Sequence, residues 1–227
     1  MNNGLTNSST SPTCSHTQTN KALIIVDMQN SFVEGQDPVV HSLAVNGGRE
    51  LVSGINALQE KFDFIIATKD WHPADHGSFA SQYADKNVFE MTTLNGVEQI
   101  LWPDHCVQDS LGAEFVDGLN IDKIAHITYK GTDPKVDSYS GFKDNNSQAK
   151  TDLDDVLKSS SVTDIYIVGL AADFCVKATA VDGAQLGYKT YFVKDLTAAV
   201  MPEQENMDAL YQDLQAAGVN IIESSMV

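Results

Sequence analysis

Basic residues are scarce in this sequence. Its 227 residues include 14 Lys and Arg against 31 Asp and Glu, which gives a formal charge of −17 at pH 7. So large an excess of negative charge repels phosphate backbones and anionic lipid headgroups. We therefore expect no nucleic acid and no membrane among the partners, whereas a small neutral substrate remains open.

Cysteine is scarce as well, and we expect neither a secretion signal nor a membrane span. Three cysteines cannot all pair with one another, and Cys14, Cys106 and Cys175 lack the spacing of a disulfide scaffold. The first twenty residues have neither the basic start nor the apolar middle of a secretion signal, and no apolar run approaches the roughly 18 residues of a membrane span. These absences predict a cytoplasmic protein.

Large apolar residues are nearly missing from residues 1–20. Such a segment cannot bury enough surface to offset the entropy lost on ordering, so we predict a flexible N-terminal tail in which Cys14 and His16 have no special role. The whole chain is 42% apolar and 20% charged, as is ordinary for a globular protein, and its length suits one domain. We assign that domain to residues 21–227.

From Lys21 onward, short apolar runs alternate with segments of helical period. Strands are predicted at 22–27, 64–68, 123–129, 164–170, 188–195 and 219–224, and helices at 49–62, 151–160, 174–187 and 203–217. Near-continuous Ile and Val runs separated by helices indicate an α/β fold, a three-layer α/β/α sandwich with a mostly parallel central sheet. The less periodic segment 70–121 is predicted to form long loops with short helices over one sheet edge.

Several polar residues follow the predicted strands at the ends where open α/β sheets bind their ligands. Asp27 ends the first strand, Asp70 and His72 follow the second, Lys130 follows the third, and Cys175 comes just after the fourth. These residues are far apart in sequence. The topology predicts that they converge at one rim of the sheet.

Cys175 is a candidate nucleophile. It falls in the first turn of a predicted helix, where unpaired amides and the helix dipole favour the thiolate. An attacking thiolate needs a proton carrier and a cation, and Asp27 and Lys130 suit those roles. The competing interpretations are a buried cysteine acting as a small apolar residue, a turn or capping aspartate and a solvated lysine.

The Asp-x-His pair formed by Asp70 and His72 is a candidate metal site. Its two side chains can reach one ion from a turn, and the WPDHC stretch offers His105 as a third ligand. One aspartate and two histidines with open positions suit zinc, iron or manganese. His76 could be a further ligand, a partner that orients a ligand, or a plain loop residue, and we favour the orienting role.

Five stretches of the sequence resemble the motifs of a known family. They are ALIIVDMQNSF, ATKDWHPADHGSFA, LWPDHC, YKGTDPKVDSYSGF and IVGLAADFCVKATAVDGAQLGYK. In this order they resemble the nicotinamidase (pyrazinamidase) family of the isochorismatase-like cysteine hydrolases, from about Lys21 to the C-terminus. The resemblance implies hydrolysis of nicotinamide to nicotinate and ammonia through a thioester, as in NAD salvage, and also hydrolysis of pyrazinamide.

The resemblance also assigns catalytic roles. Cys175 would be the nucleophile, Asp27 the general acid and base, and Lys130 the third member of the triad. The peptide bond between Leu170 and Ala171 would be cis, and the backbone amides of Ala171 and Cys175 would form the oxyanion hole.

The same likeness implies one divalent metal ion, with zinc favoured over iron or manganese, that holds the pyridine nitrogen and ordered waters. Its ligands would be Asp70, His72 and His105. The ring pocket would be lined by Phe32, Trp102, Tyr139 and Phe174. Ser31 departs from the family pattern, which often has an acid there, and we expect it to alter the hydrogen bonds around Asp27.

Other functions remain open at this point. A related cysteine hydrolase acting on another small amide or carbamoyl compound would keep the triad, but such relatives generally lack the metal trio. A silent binding protein on this scaffold would be expected to have lost Cys175 or Lys130. A thiol redox protein would need a resolving thiol, for which Cys106 is the candidate. Assembly into a homo-oligomer is a further possibility.

Overall fold

The structure is a computed structural model that describes residues 20–227. The predicted tail at 1–20, with Cys14 and His16, therefore lies outside the described residues except for Asn20. Within the described part, no helix has both the length and the apolar character needed to cross a membrane.

The described residues form eight strands and four α-helices. The strands are β1 (Lys21–Val26), β2 (Ile65–Asp70), β3 (Met91–Leu94), β4 (Val97–Ile100), β5 (His126–Lys130), β6 (Asp164–Leu170), β7 (Lys189–Ala198) and β8 (Asn220–Ile222). The helices are α1 (Leu51–Gln59), α2 (Leu153–Ser159), α3 (Lys177–Gln185) and α4 (Gln204–Ala216). A five-residue π-helical turn, Ala172–Val176, runs directly into α3.

Six strands form one sheet in the order β5-β2-β1-β6-β7-β8, and every neighbouring pair is parallel. Alternate residues of β1 enter two different cores: Leu23 and Ile25 pack with α1, and Ala22 and Ile24 pack with the helices of the other face. A strand buried on both faces must be apolar throughout, which explains its continuous run. The predicted three-layer α/β/α sandwich is confirmed.

The segment 70–121 differs from its prediction. It contains an antiparallel hairpin of β3 and β4 rather than only loops and short helices. The hairpin turns at Asn95 and Gly96, whose φ angles of 48° and 83° are those that an Asn-Gly pair accommodates in tight hairpin turns. The turn signal was therefore present in the sequence LNGV. The hairpin was missed because the two short stretches that flank the turn are too polar to be recognised as buried strands.

Two strands extend further toward their carboxyl ends than predicted. β2 runs to Asp70 and β5 to Lys130, and these two residues are register partners across the sheet. The pairing of β2 with β5 therefore sets the two backbones side by side. This fixes the separation of a metal-ligand candidate and the candidate cation before any side-chain contact is made.

Candidate active site

The carboxyl ends of four strands bring the predicted polar residues together. Asp27 follows β1 in a left-handed conformation with φ 47°, which ends the strand. Asp70 and Lys130 close β2 and β5, and Cys175 lies in the turn after β6. All four are buried. The predicted convergence at one rim of the sheet is confirmed.

Lys130 is the centre of this cluster. Its Nζ lies 2.8 Å from Asp27 Oδ2, 2.5 Å from Asp70 Oδ1 and 3.3 Å from Cys175 Sγ, and it donates to the carbonyl of Ser138 at 3.0 Å. Burial by itself favours the neutral amine, but the two carboxylates outweigh it and raise the pKa of Lys130 well above its usual value. The lysine is therefore a permanent buried cation beside the thiol.

Asp27 is placed to exchange a proton with the thiol. Asp27 is fully buried, and the Thr68 hydroxyl donates a hydrogen bond to its Oδ1 at 2.6 Å. Burial raises the pKa of this carboxyl above its usual value, although Lys130 opposes the shift. A carboxylate oxygen of Asp27 lies within 4.8 Å of the Cys175 sulfur. A base of raised pKa is suited to take the thiol proton once the two groups come within hydrogen-bond reach or share one water.

The surroundings of the Cys175 thiol differ from the sequence-based expectation that the start of a helix favours the thiolate. The turn that carries it is π-helical, with the Val176 amide bonded to the Ala171 carbonyl at 3.0 Å, and Cys175 is only 6% exposed. Burial raises the pKa of Cys175 well above its usual value; Lys130 lowers it, and Asp27 and Asp70 raise it further. The position at the start of a helix does not by itself give a thiolate, so the thiol requires a base.

The backbone before Cys175 has the expected shape for an oxyanion hole. The Leu170–Ala171 peptide bond is cis. The Ala171 amide donates no hydrogen bond to another described residue, and Cys175 follows it within the π-helical turn. The Ala171 N–H, which lines the same pocket as the thiol, is thus available to an oxygen that becomes negative during attack.

Asp70, His72 and His105 form a buried group whose ligand atoms suit a metal ion. Asp70 Oδ2 lies 3.6 Å from His72 Nε2 and 3.8 Å from His105 Nε2, close to the roughly 3.4 Å between ligands of one tetrahedral ion. Each histidine bonds a backbone carbonyl through Nδ1, at Gly131 and at Pro103, both 2.8 Å away. That leaves Nε2 to bind, and His72 Nε2 is buried with no partner among the described residues.

His76 lies beside this group but does not orient it through a hydrogen bond. Its ring packs against the His72 ring with centroids 4.3 Å apart, and its Nδ1 contacts the Ser78 hydroxyl at 2.7 Å. The nitrogen of His72 that would need an orienting partner is already bonded to Gly131. Burial and His72 lower the pKa of His76 to about 4.

A pocket opens above the thiol, and Cys175 is part of its lining. All four predicted aromatic residues line it, namely Phe32, Trp102, Tyr139 and Phe174. Trp102 and Phe174 meet edge to face with centroids 4.9 Å apart. Three further lining residues, Leu43, Asp137 and Val200, were not predicted. Asp137 stands in the quoted VDSYSGF motif, whereas nothing in the local sequence marks Leu43 or Val200.

Ser31 and Cys106 have roles other than those considered from the sequence. The Ser31 hydroxyl accepts a hydrogen bond from the Cys106 amide at 3.1 Å, so it supports the loop that carries His105 and does not bond to Asp27. Cys106 and Cys175 are both free thiols, and they belong to cores on opposite faces of the sheet. This arrangement gives no support to a resolving role for Cys106.

Comparison with known proteins places this architecture in a family. The isochorismatase domain model matches residues 21–225. A nicotinamidase of Escherichia coli is 40% identical over 205 residues, which cover 88% of this chain and 93% of that protein. The structure of an Acinetobacter baumannii nicotinamidase and pyrazinamidase superposes with a TM-score of 0.85 at 36% identity, covering 92% of this chain and 98% of the other.

A third relative bears on the metal group. The pyrazinamidase of Pyrococcus horikoshii, solved in complex with zinc, superposes with a TM-score of 0.70 at 33% identity, and the match covers 90% of this chain and 99% of that one. The chain belongs to the isochorismatase family and, within it, to the nicotinamidase and pyrazinamidase group, as its motifs predicted.

Proposed function

We propose that this protein is a metal-dependent nicotinamidase, which hydrolyses nicotinamide to nicotinate and ammonia and also accepts pyrazinamide. The observation that carries the proposal is the Lys130 ammonium. It contacts the Cys175 thiol, Asp27 and the metal-ligand candidate Asp70 at the base of an aromatic pocket. The curated nicotinamidases that resemble almost the whole chain support the same assignment.

The first half of the reaction transfers the acyl group to sulfur. Asp27 takes the proton of the Cys175 thiol, and the thiolate attacks the amide carbon while Lys130 balances the negative charge. The amides of Ala171 and Cys175 hold the oxygen that becomes negative. When the carbon–nitrogen bond breaks, Asp27 returns its proton to the departing amine, which leaves as ammonia. A thioester to Cys175 remains.

The second half returns the protein to its starting state. Asp27, again a carboxylate, takes a proton from water, and the hydroxide attacks the thioester carbon. The carbon–sulfur bond breaks, and the proton passes from Asp27 to the Cys175 sulfur. The nicotinic acid that forms releases its own proton to solvent, which leaves nicotinate. Asp27 therefore acts as base and acid in each half, a role that suits a buried carboxyl whose pKa lies above its usual value.

Asp70, His72 and His105 would hold the metal, for which zinc is favoured over iron or manganese. When bound, the ion would supply a Lewis-acid position for the pyridine nitrogen and for ordered water. The pocket's aromatic residues would hold the flat ring between them, with Phe174 and Trp102 as two of its walls. The scissile amide would then face Cys175.

This function agrees with the charge of the chain, since nicotinamide is neutral and a protein of charge −17 has no electrostatic attraction to nucleic acid. A role in NAD salvage follows from the product. We further propose residues 21–227 as one hydrolase domain. Cytoplasmic location and homo-oligomer formation stay predictions from the sequence.

Ammonia release from nicotinamide by the purified protein tests the proposal. We expect release that falls after chelator treatment and recovers when zinc is returned. Release unaffected by thorough metal removal would contradict the metal-dependent part alone. If the zinc-loaded protein released nothing from nicotinamide or pyrazinamide but cleaved a small carbamoyl compound, the alternative cysteine hydrolase would replace the nicotinamidase.

A further inference from the structure

Gln29 is a fully buried polar residue that the proposed mechanism does not use. Its side-chain amide makes three hydrogen bonds, all with backbone atoms. Oε1 accepts from the Asp70 amide at 2.8 Å, and Nε2 donates to the Asp70 carbonyl at 2.8 Å and to the Ala113 carbonyl at 3.0 Å. Both backbone polar groups of Asp70 are thus bonded to one side chain.

The sheet topology explains why Asp70 needs such a partner. The pairing of β1 with β2 reaches only Ile25 and Ala67, because Asp27 turns the chain out of the sheet. On the other edge of β2, the pairing with β5 continues to Asp70 and Lys130. The edge of β2 that faces β1 therefore has no strand opposite Asp70, and Gln29 supplies the donor and acceptor that a longer β1 would have supplied.

The backbone of Asp70 determines where its carboxylate points. Gln29 bonds the amide before the Asp70 Cα and the carbonyl after it, which fixes both peptide planes. The carboxylate must meet Lys130 with one oxygen and face His72 and His105 with the other. Metal-site geometry of this kind has to hold within about 0.5 Å, so a rotation of either peptide plane would open the ligand group.

We propose that Gln29 is a positioning residue for the Asp70 carboxylate and thereby sets the affinity of the metal site. The inference rests on the proposed function, because it assumes that Asp70, His72 and His105 bind the ion. Asp27, the other carboxylate of the cluster, is held by Thr68 instead. Loss of Gln29 therefore acts on the metal group more than on the proton-transfer pair.

The test compares Gln29→Met with Gln59→Met. Gln59 is an equally buried glutamine on α1, whose Nε2 bonds Asn56 Oδ1 at 3.2 Å and reaches none of the candidate ligands. The measured quantity is the zinc dissociation constant, from competition with a chromophoric chelator. We expect Gln29→Met to bind zinc about 10- to 100-fold more weakly than the unmodified protein, and Gln59→Met to match it. His105→Ala provides the loss expected when a ligand itself is removed.

Gln29→Glu serves as a second variant if Gln29→Met does not fold. It keeps an acceptor for the Asp70 amide but loses both donated hydrogen bonds, so weaker zinc binding is expected again. An unchanged zinc dissociation constant in a folded Gln29 variant would overturn the inference, as would an equal loss in Gln59→Met. Failure of the unmodified protein to bind zinc would instead count against the metal site of the proposed function.

Discussion

The two thiols of the described chain are alike in burial and different in their neighbours. Cys175 and Cys106 are both free and buried, and burial raises the pKa of each well above its usual value. The Cys106 sulfur donates a long, weak hydrogen bond to the Gly112 carbonyl at 4.0 Å. Around Cys175, an ammonium lies at 3.3 Å, and a carboxylate and an aromatic pocket adjoin the sulfur.

Under the proposed function, this difference accounts for a reactive Cys175 and an unreactive Cys106. Position after a strand and at the start of a helix still leaves Cys175 with a raised pKa, and burial, assisted by Asp70 and Asp27, likewise raises the pKa of Cys106. In the proposed function, the reactivity of Cys175 comes from Lys130 and Asp27, which offer a counterion and a proton acceptor. Cys106 contributes to the site through its neighbour His105, whose Nε2 faces Asp70, and not through its own sulfur.

Replacing each thiol by alanine gives the largest expected contrast. Cys175→Ala removes the nucleophile, and we expect ammonia release from nicotinamide to fall by about 10⁴-fold or more, with the bound metal retained. Cys106→Ala leaves every proposed catalytic group in place and should keep nearly full activity. Substantial turnover by Cys175→Ala would remove Cys175 from the mechanism. Loss of activity in a folded Cys106→Ala would show that Cys106 also matters for catalysis, contrary to the difference between the neighbours of the two thiols.

Replacing Lys130 should make the two thiols more alike in their reactivity toward an alkylating reagent. Lys130 lowers the pKa of Cys175, so Lys130→Gln is expected to raise that pKa further and to reduce the thiolate fraction at a given pH. Iodoacetamide alkylation of Cys175 should slow by up to about tenfold for each pKa unit, and its pH profile should move to higher pH. Mass spectrometry of the modified peptides measures both rates.

Cys106 is the internal control in that experiment. It is fully buried, so rapid alkylation of Cys106 would report that Lys130→Gln has unfolded. Slow Cys106 labelling together with an unchanged Cys175 profile would mean that the ammonium does not govern the thiol.

The fold and most of the site could be predicted from the sequence, because each depends on patterns that strands impose locally. Apolar runs of β1 and β6 predicted a parallel sheet, and the rule for strand ends then selected Asp27, Asp70, Lys130 and Cys175. The family motifs added the cis bond at Leu170–Ala171, which no local pattern indicates.

Other features depend on contacts between distant segments and escaped prediction. Val200 reaches the pocket because its amide bonds to the Asp173 carboxylate at 3.0 Å, across 27 residues of sequence. The sequence predicted a lowered pKa for Cys175, and this direction was wrong. Burial and the nearby carboxylates raise the pKa, and both depend on how distant segments pack. The β3–β4 hairpin was missed although Asn95 and Gly96 carry a recognised turn signal.

The smallest expected effect is on the free energy of unfolding, and it again distinguishes the two thiols. Cys106 is fully enclosed in the core beside α1, so Cys106→Ala leaves an unfilled space and should lower the free energy of unfolding by about 1 kcal/mol. Cys175 lines a pocket that opens to solvent, so Cys175→Ala creates no closed cavity and should change stability by less than about 0.5 kcal/mol. Urea unfolding with an unchanged slope measures both values. Equal losses would mean that packing holds the nucleophile as firmly as it holds Cys106, and that the site is less open than its pocket indicates.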